Sequence, residues 1–166
     1  MFGRGGEEAL ACAEAGIPFE VVPGVSAAIA APAYAGIPVT HRGLASSVAV
    51  VTANLAGGRT PELARLAGDA DTLVVLMAAG KVAELCRALV AAGRSPDEPA
   101  ALVEWATTPR QRSVTATLAD LPGLAAAAGI GAPSTLVVGS VVGLAPALEW
   151  FGSDASPAAT LEAARS

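Results

Sequence analysis

Four runs of this sequence are apolar almost from end to end: SSVAVVTAN, DTLVVLMAAG, AALVEWATT and STLVVGSVVGL. Stretches with helical spacing, PELARLAG, KVAELCRALVAAG and DLPGLAAAAG, fall between them. A strand with one wet face alternates apolar and polar residues, so a strand that is apolar throughout is covered on both faces. Alternation of such strands with helices predicts an α/β fold: a mixed, largely parallel sheet with helices on both faces, in which RSVTATLA is the member expected to run antiparallel. Ahead of this core, residues 6–15 read as a helix with Glu7 and Glu8 in the first turn and Gly16 as its stop. PFEVVPG then reads as a short strand. SAAIAAPAYAG reads as a small-residue helix interrupted by Pro32, and its alanines on nearly every face predict burial on more than one side. Asp120 is the expected start of the DLPGLAAAAG helix. Residues 1–150 form one domain in this reading, and 151–166, where the pattern lapses, a disordered tail.

Composition removes several classes of partner. With 10 basic against 15 acidic side chains, the net charge of −5 offers no broad positive field to a phosphate backbone, so nucleic acid is not expected as a partner. No apolar run approaches the roughly 20 residues of a membrane-spanning helix, so no membrane partner is expected either. The opening FGRGGEE has neither the basic nor the apolar region of a signal peptide, which makes the cytoplasm the expected location. Cys12 and Cys86 each sit in a helix-like apolar pattern and are expected to be buried free thiols.

In open α/β sheets ligands gather beyond the carboxyl ends of strands. Four strand ends are followed by small residues that let a ligand approach the backbone: PGVSAA after EVV, AAGK after VVLM, ATTPRQR after LVEW, and GSVV, beginning at Gly139, after LVV. Any one of them reads equally as an ordinary tight turn; four together point to a shared cleft. His41 is the single histidine, which excludes metal sites built on paired histidines, and no metal is expected. The G-x-S-x-G elbow, the Walker pattern and the spacing of the dinucleotide fingerprint do not occur. Arg4, Arg42, Arg110 and Arg112 lie in expected loops beside Gly, Pro or Thr, where they suit either solubility or a ligand bearing several carboxylates.

Taken in order, FGRGGEEAL, GIPFEVVPGVSAAIAAPAYAGIPVTHRGLASSVAVVTAN, TLVVLMA, VEWATTPRQRSVTATLADL and LVVGSVV give the chain a close resemblance to the tetrapyrrole methylase family, in particular to its branch acting on uroporphyrinogen III. The resemblance implies S-adenosyl-L-methionine as methyl donor and methyl transfer to C2 and then C7 of uroporphyrinogen III, giving precorrin-2 for cobalamin or sirohaem synthesis. Position by position, the family's donor contacts fall on Met1, Ser26, Ala27, Met77 and Ala106, with Gly139 a weaker candidate. The substrate's carboxylates nominate Arg4, His41, Arg42, Arg110 and Arg112. The resemblance also implies a homodimer, and a longer protein whose N-terminal domain carries the acid and base. On that reading the chain is the C-terminal portion and inactive alone; the alternative is a noncatalytic remnant that dimerises or binds a small molecule.

Overall fold

The computed structural model describes residues 5–54 and 69–152. In chain order the elements are α1 (Gly5–Glu14), α2 (Ala27–Tyr34), β1 (Val48–Thr52), β2 (Thr72–Leu76), α3 (Val82–Ala91), β3 (Pro99–Glu104), β4 (Arg112–Thr117), α4 (Leu121–Ala127) and β5 (Ser134–Val138). A 3-10 turn (Ser140–Leu144) and the short α5 (Ala145–Leu148) complete them. The PELARLAG helix and nearly all of the expected tail lie outside the described residues.

The five strands form one sheet in the order β1-β2-β5-β3-β4. Every residue of β2 and β5 is buried, which is why both read as unbroken apolar runs. Side chains then sort by the two-residue period of a strand. Leu73, Val75, Leu102, Leu136 and Val138 face α3 and α4, meeting Leu85, Leu89 and Leu121. Val74, Leu76, Ala101 and Val137 face the other way, onto Ala28 of α2, Ile37 and Val141 and Val142 of the 3-10 turn. Helices therefore cover both faces, as expected, and each fully buried Leu or Val contributes about 1.5–3 kcal/mol.

Strand direction departs from the expectation of a largely parallel sheet. β1 and β2 pair in parallel, but β5 enters between β2 and β3 in the opposite direction, so β2–β5 and β3–β5 are antiparallel, as is β3–β4. An apolar run reports burial on two faces and carries no direction, which is why the sequence misleads here.

Three local expectations are also corrected. PFEVVPG forms no strand: the described residues supply no neighbour for it to pair with, and Phe19, Val21 and Val22 are exposed. Helix α2 is buried on one side, through Ala28, Ala31 and Pro32, while Ile29 is exposed. Asp120 does start α4, its carbonyl accepting from the Leu124 amide at 3.1 Å, although its carboxylate accepts from the Thr117 hydroxyl at 2.8 Å and not from the first turn of the helix. Of the two thiols, Cys86 is buried, which pushes its pKa up to about 11, whereas Cys12 is half-buried.

Two glycines make close passages possible. At Gly36 (φ 69°) an added Cβ would lie 2.8 Å from the Leu148 carbonyl carbon, so the end of α5 packs over a position with no side chain. At Gly139 (φ 142°, ψ 163°) it would lie 2.6 Å from the Asp71 carbonyl oxygen, in a backbone region open essentially to glycine alone. Gly139→Ala is therefore expected to lower stability by about 2 kcal/mol or more, measured as a fall in urea midpoint at unchanged slope. An unchanged midpoint would refute the close approach.

Candidate functional site

Because β5 is reversed, one edge of the sheet gathers the carboxyl ends of β2 and β3 and the amino end of β5. Here the backbone turns sharply away from each strand. Met77 directly follows β2 and Trp105 directly follows β3; both are left-handed (φ 58° and 48°), as is Thr107 (φ 68°). These are the described non-glycine residues with positive φ, each worth roughly 1–3 kcal/mol of backbone strain. The turns are fixed by the approach to β5: the Trp105 amide donates to the Pro133 carbonyl at 3.1 Å and the Ala78 amide to the Ser134 carbonyl at 3.2 Å. The Ala132–Pro133 peptide is cis.

Between these turns lies an apolar cavity of about 620 Å³, lined by residues that include Ala27, Met77, Trp105, Ala106, Pro133 and Ser134. Its volume is that of an ordinary small-molecule site. No ionisable side chain lines it among the described residues. Met77 is 46% exposed, so it is no core methionine; the end of β2 leaves it open to solvent. Ser134 Oγ is buried without a hydrogen-bond partner, and the two-residue period of β5 turns it toward the face of Leu136 and Val138, away from the cavity face of Leu76, Val103 and Thr135.

Three of the residues singled out from sequence, Ala27, Met77 and Ala106, meet in this cavity. Ser26, one residue before Ala27, caps α2 by accepting from the Ala28 amide at 3.2 Å. Met1 and Arg4 lie outside the described residues. Gly139 follows β5 and so sits at the far edge of the sheet beside Thr72; the fourth wall comes instead from the residues before β5. The segment before Ser26 is no strand end, although Ala27 still reaches the cavity.

The arginines separate. Arg110 stacks on a residue of the lining, its guanidinium carbon 3.5 Å from the centroid of the Trp105 ring. Arg112 is engaged in structure: Nε and Nη2 donate to Glu104 Oε2 at 2.8 and 2.6 Å, Nη1 to the Ala128 carbonyl and Nη2 to the Gly129 carbonyl, both at 3.0 Å. His41 and Arg42 belong to a turn closed by paired backbone bonds between His41 and Ala45, both 2.9 Å, and this turn stands at the amino ends of β1 and β2, away from the cavity. There Asp71 accepts from the amides and hydroxyls of Ser46 and Ser47, which hold its carboxyl down to about 2, the Ser46 amide most strongly.

Sequence reasoning passed over Trp105, Ser134 and Glu104. Glu104 had a legible signal, a carboxylate ending an otherwise apolar strand. It is 5% exposed; its Oε1 accepts from the Gly131 amide at 2.6 Å and its Oε2 from Arg112. The Gly131 amide first, and then Arg112, hold its carboxyl below the ordinary range against the opposing effect of burial. Ser134 could be found only once the direction of β5 was known.

Comparison with known proteins places this geometry in context. The family model for Tetrapyrrole (Corrin/Porphyrin) Methylases matches residues 1–122. The siroheme synthase of Chromobacterium violaceum is 50% identical over 162 residues, covering 97% of this chain and 34% of that protein. Siroheme synthase 2 of Aeromonas hydrophila is 49% identical over 153 residues, covering 92% of this chain and 32% of that protein. Among solved structures, a uroporphyrin-III C-methyl transferase from Thermus thermophilus, complexed with S-adenyl homocysteine, superposes with a TM-score of 0.74 at 41% identity, covering 87% of this chain and 63% of that one. The chain thus spans about a third of the length of these curated relatives.

Glu104→Gln keeps an acceptor for Gly131 and removes the charge that Arg112 meets, so it is expected to cost about 1–3 kcal/mol at neutral pH. The native pKa lies below the ordinary value of 4.5, so the stabilisation is complete above that value and is lost as pH falls below it. Unfolding free energies of the two proteins should therefore converge as pH falls below 4.5. Curves that stay parallel would show that this carboxylate is not the group concerned.

Proposed function

The chain belongs to the tetrapyrrole (corrin/porphyrin) methylase family, and from that membership we propose that its cavity holds S-adenosylmethionine for methyl transfer to a tetrapyrrole, with uroporphyrinogen III methylated at C2 and C7 to precorrin-2. The observation that carries this reading is the convergence of Ala27, Met77 and Ala106, from three separate segments, on one apolar cavity of about 620 Å³. These residues fit the donor's chemistry. Ala27 and Ala106 leave the backbone approachable, and Trp105 and Met77 offer flat and polarizable apolar surface to a base. When bound, the donor supplies an electrophilic methyl group on a sulfonium.

The residues of this chain bind, orient and exclude water. In the overall transfer the bond from sulfur to the methyl carbon breaks, a bond from that carbon to a pyrrole carbon forms, sulfur keeps the electron pair as a thioether, and the tetrapyrrole releases a proton. No side chain lining the cavity among the described residues can accept that proton. We therefore assign the acid and base to parts of the protein beyond this cavity lining, so that binding, rather than turnover, is the property of the described residues. Effective concentration and alignment are the chemical gain such a site provides. Arg110, stacked on Trp105 of the lining, is the arginine best placed for a substrate carboxylate; Arg112 is engaged in structure, and His41 and Arg42 stand at the other end of the sheet. Self-association belongs to the same reading, on the exposed apolar residues Ile17, Phe19, Val21, Val22 and Val25.

Calorimetric titration with S-adenosylhomocysteine tests the reading, and two substitutions sharpen it. Ala106→Leu, which fills the cavity, should abolish measurable binding. Met77→Ala, which removes polarizable apolar surface from the lining, should weaken binding by about three- to tenfold. No heat with the unmodified protein, or equal affinity in all three, would remove the cavity from consideration.

A further inference from the structure

Gln111 belongs to none of the groups treated so far, yet its side chain ties together two segments, the 105–108 turn and α2, that each contribute residues to the cavity. It lies at the end of the loop that begins with Trp105 and Ala106. Its Oε1 accepts the amide N–H of Thr107 at 2.8 Å, and its Nε2 donates to the carbonyl of Tyr34, the last residue of α2, also at 2.8 Å. The two partners fix which way the amide points: a backbone N–H requires the oxygen and a backbone carbonyl requires the nitrogen, so a flipped amide loses both bonds. Thr107 is β-branched and left-handed, a conformation that needs outside support, and Gln111 bonds its amide directly. At the other end, Tyr34 is packed against Trp150 and Phe151, both with ring centroids 4.8 Å away, so the carbonyl that Gln111 grips sits in a fixed aromatic cluster. The opposite end of α2 is Ala27, in the cavity lining.

We propose that Gln111 is a positioning residue, bracing the turn at residues 105–108 against α2 and so setting the separation of two segments that contribute residues to the cavity. The proposal rests on the cavity being the donor site. It requires a donor and an acceptor on one side chain. Glutamate keeps the acceptor for Thr107 but sets a carboxylate oxygen against the Tyr34 carbonyl; methionine keeps the shape and loses both bonds.

The experiment compares Gln111→Glu and Gln111→Met with the unmodified protein by S-adenosylhomocysteine titration, by thermal unfolding, and by NMR hydrogen exchange at the Thr107 amide. Gln111→Glu should bind about three- to tenfold more weakly with Thr107 exchange unchanged. Gln111→Met should bind at least as weakly and speed Thr107 exchange by about tenfold. Melting temperatures should stay within about 3 °C, so loss of folded protein cannot account for the change. Wild-type affinity in both variants, or unchanged Thr107 exchange in Gln111→Met, overturns the proposal. Should the unmodified protein not bind, the donor-site reading fails, and Thr107 exchange alone decides whether Gln111 braces the turn.

Discussion

The carboxylate of Glu104 is the contact on which the binding edge of the sheet depends. Burying a charge costs several kcal/mol unless it is fully answered, and here the answer comes from two groups, the Gly131 amide and the Arg112 guanidinium. The Gly131 amide fixes the turn that leads into β5, Arg112 fixes the start of β4, and the same arginine reaches the Ala128 and Gly129 carbonyls that close α4. One residue thus ties together a helix end, a strand pair and the segment that supplies Pro133 and Ser134 to the cavity. Because β5 runs against its neighbours, this segment would otherwise be a loop end with little to hold it.

That anchorage explains how the strain at the cavity is sustained. Met77, Trp105 and Thr107 are held left-handed next to strands that are rigid and dry, and the bonds from Trp105 to Pro133 and from Ala78 to Ser134 connect the strained turns to the Glu104 cluster. The effect is geometric. By swinging out of line directly after β2 and β3, the backbone leaves a hollow where a regular strand-to-helix turn would have filled the space.

What the sequence disclosed follows from the same division. The sheet core was legible because burial on both faces writes itself as uninterrupted Val and Leu in β2 and β5, and the positions after β2 and β3 were legible because small residues follow a strand end there. Direction was not legible. The run STLVV reads the same whichever way it lies between its neighbours, and so Gly139 was assigned to the ligand edge when it serves a close backbone crossing at the other edge. PFEVV carries a strand's composition, but a strand exists only with a neighbour to pair with. The arginines show the remaining limit: Arg110 and Arg112 stand two residues apart in one loop-like stretch, yet one rests on an indole of the cavity lining and the other is fully engaged by Glu104 and two carbonyls. Composition near a strand end locates a site without distinguishing the residues that face it from those that build it.

The treatment of charge around the cavity bears on what it can hold. A cationic ligand is repelled by free guanidinium groups in a medium of low dielectric, where two like charges a few ångströms apart interact far more strongly than in water. Neither arginine beside this cavity is in its lining: Arg112 is paired with the buried carboxylate of Glu104, and Arg110 keeps its charge while resting on the face of Trp105, whose quadrupole attracts a cation. The lining itself carries no ionisable group among the described residues. A site built for phosphate would leave its cations turned inward and its backbone amides converging on the ligand. Here the cations stand outside the lining, and the surface is apolar. That arrangement suits a sulfonium-bearing nucleoside far better than a nucleotide, and it does so on electrostatic grounds that do not depend on the comparison with any relative.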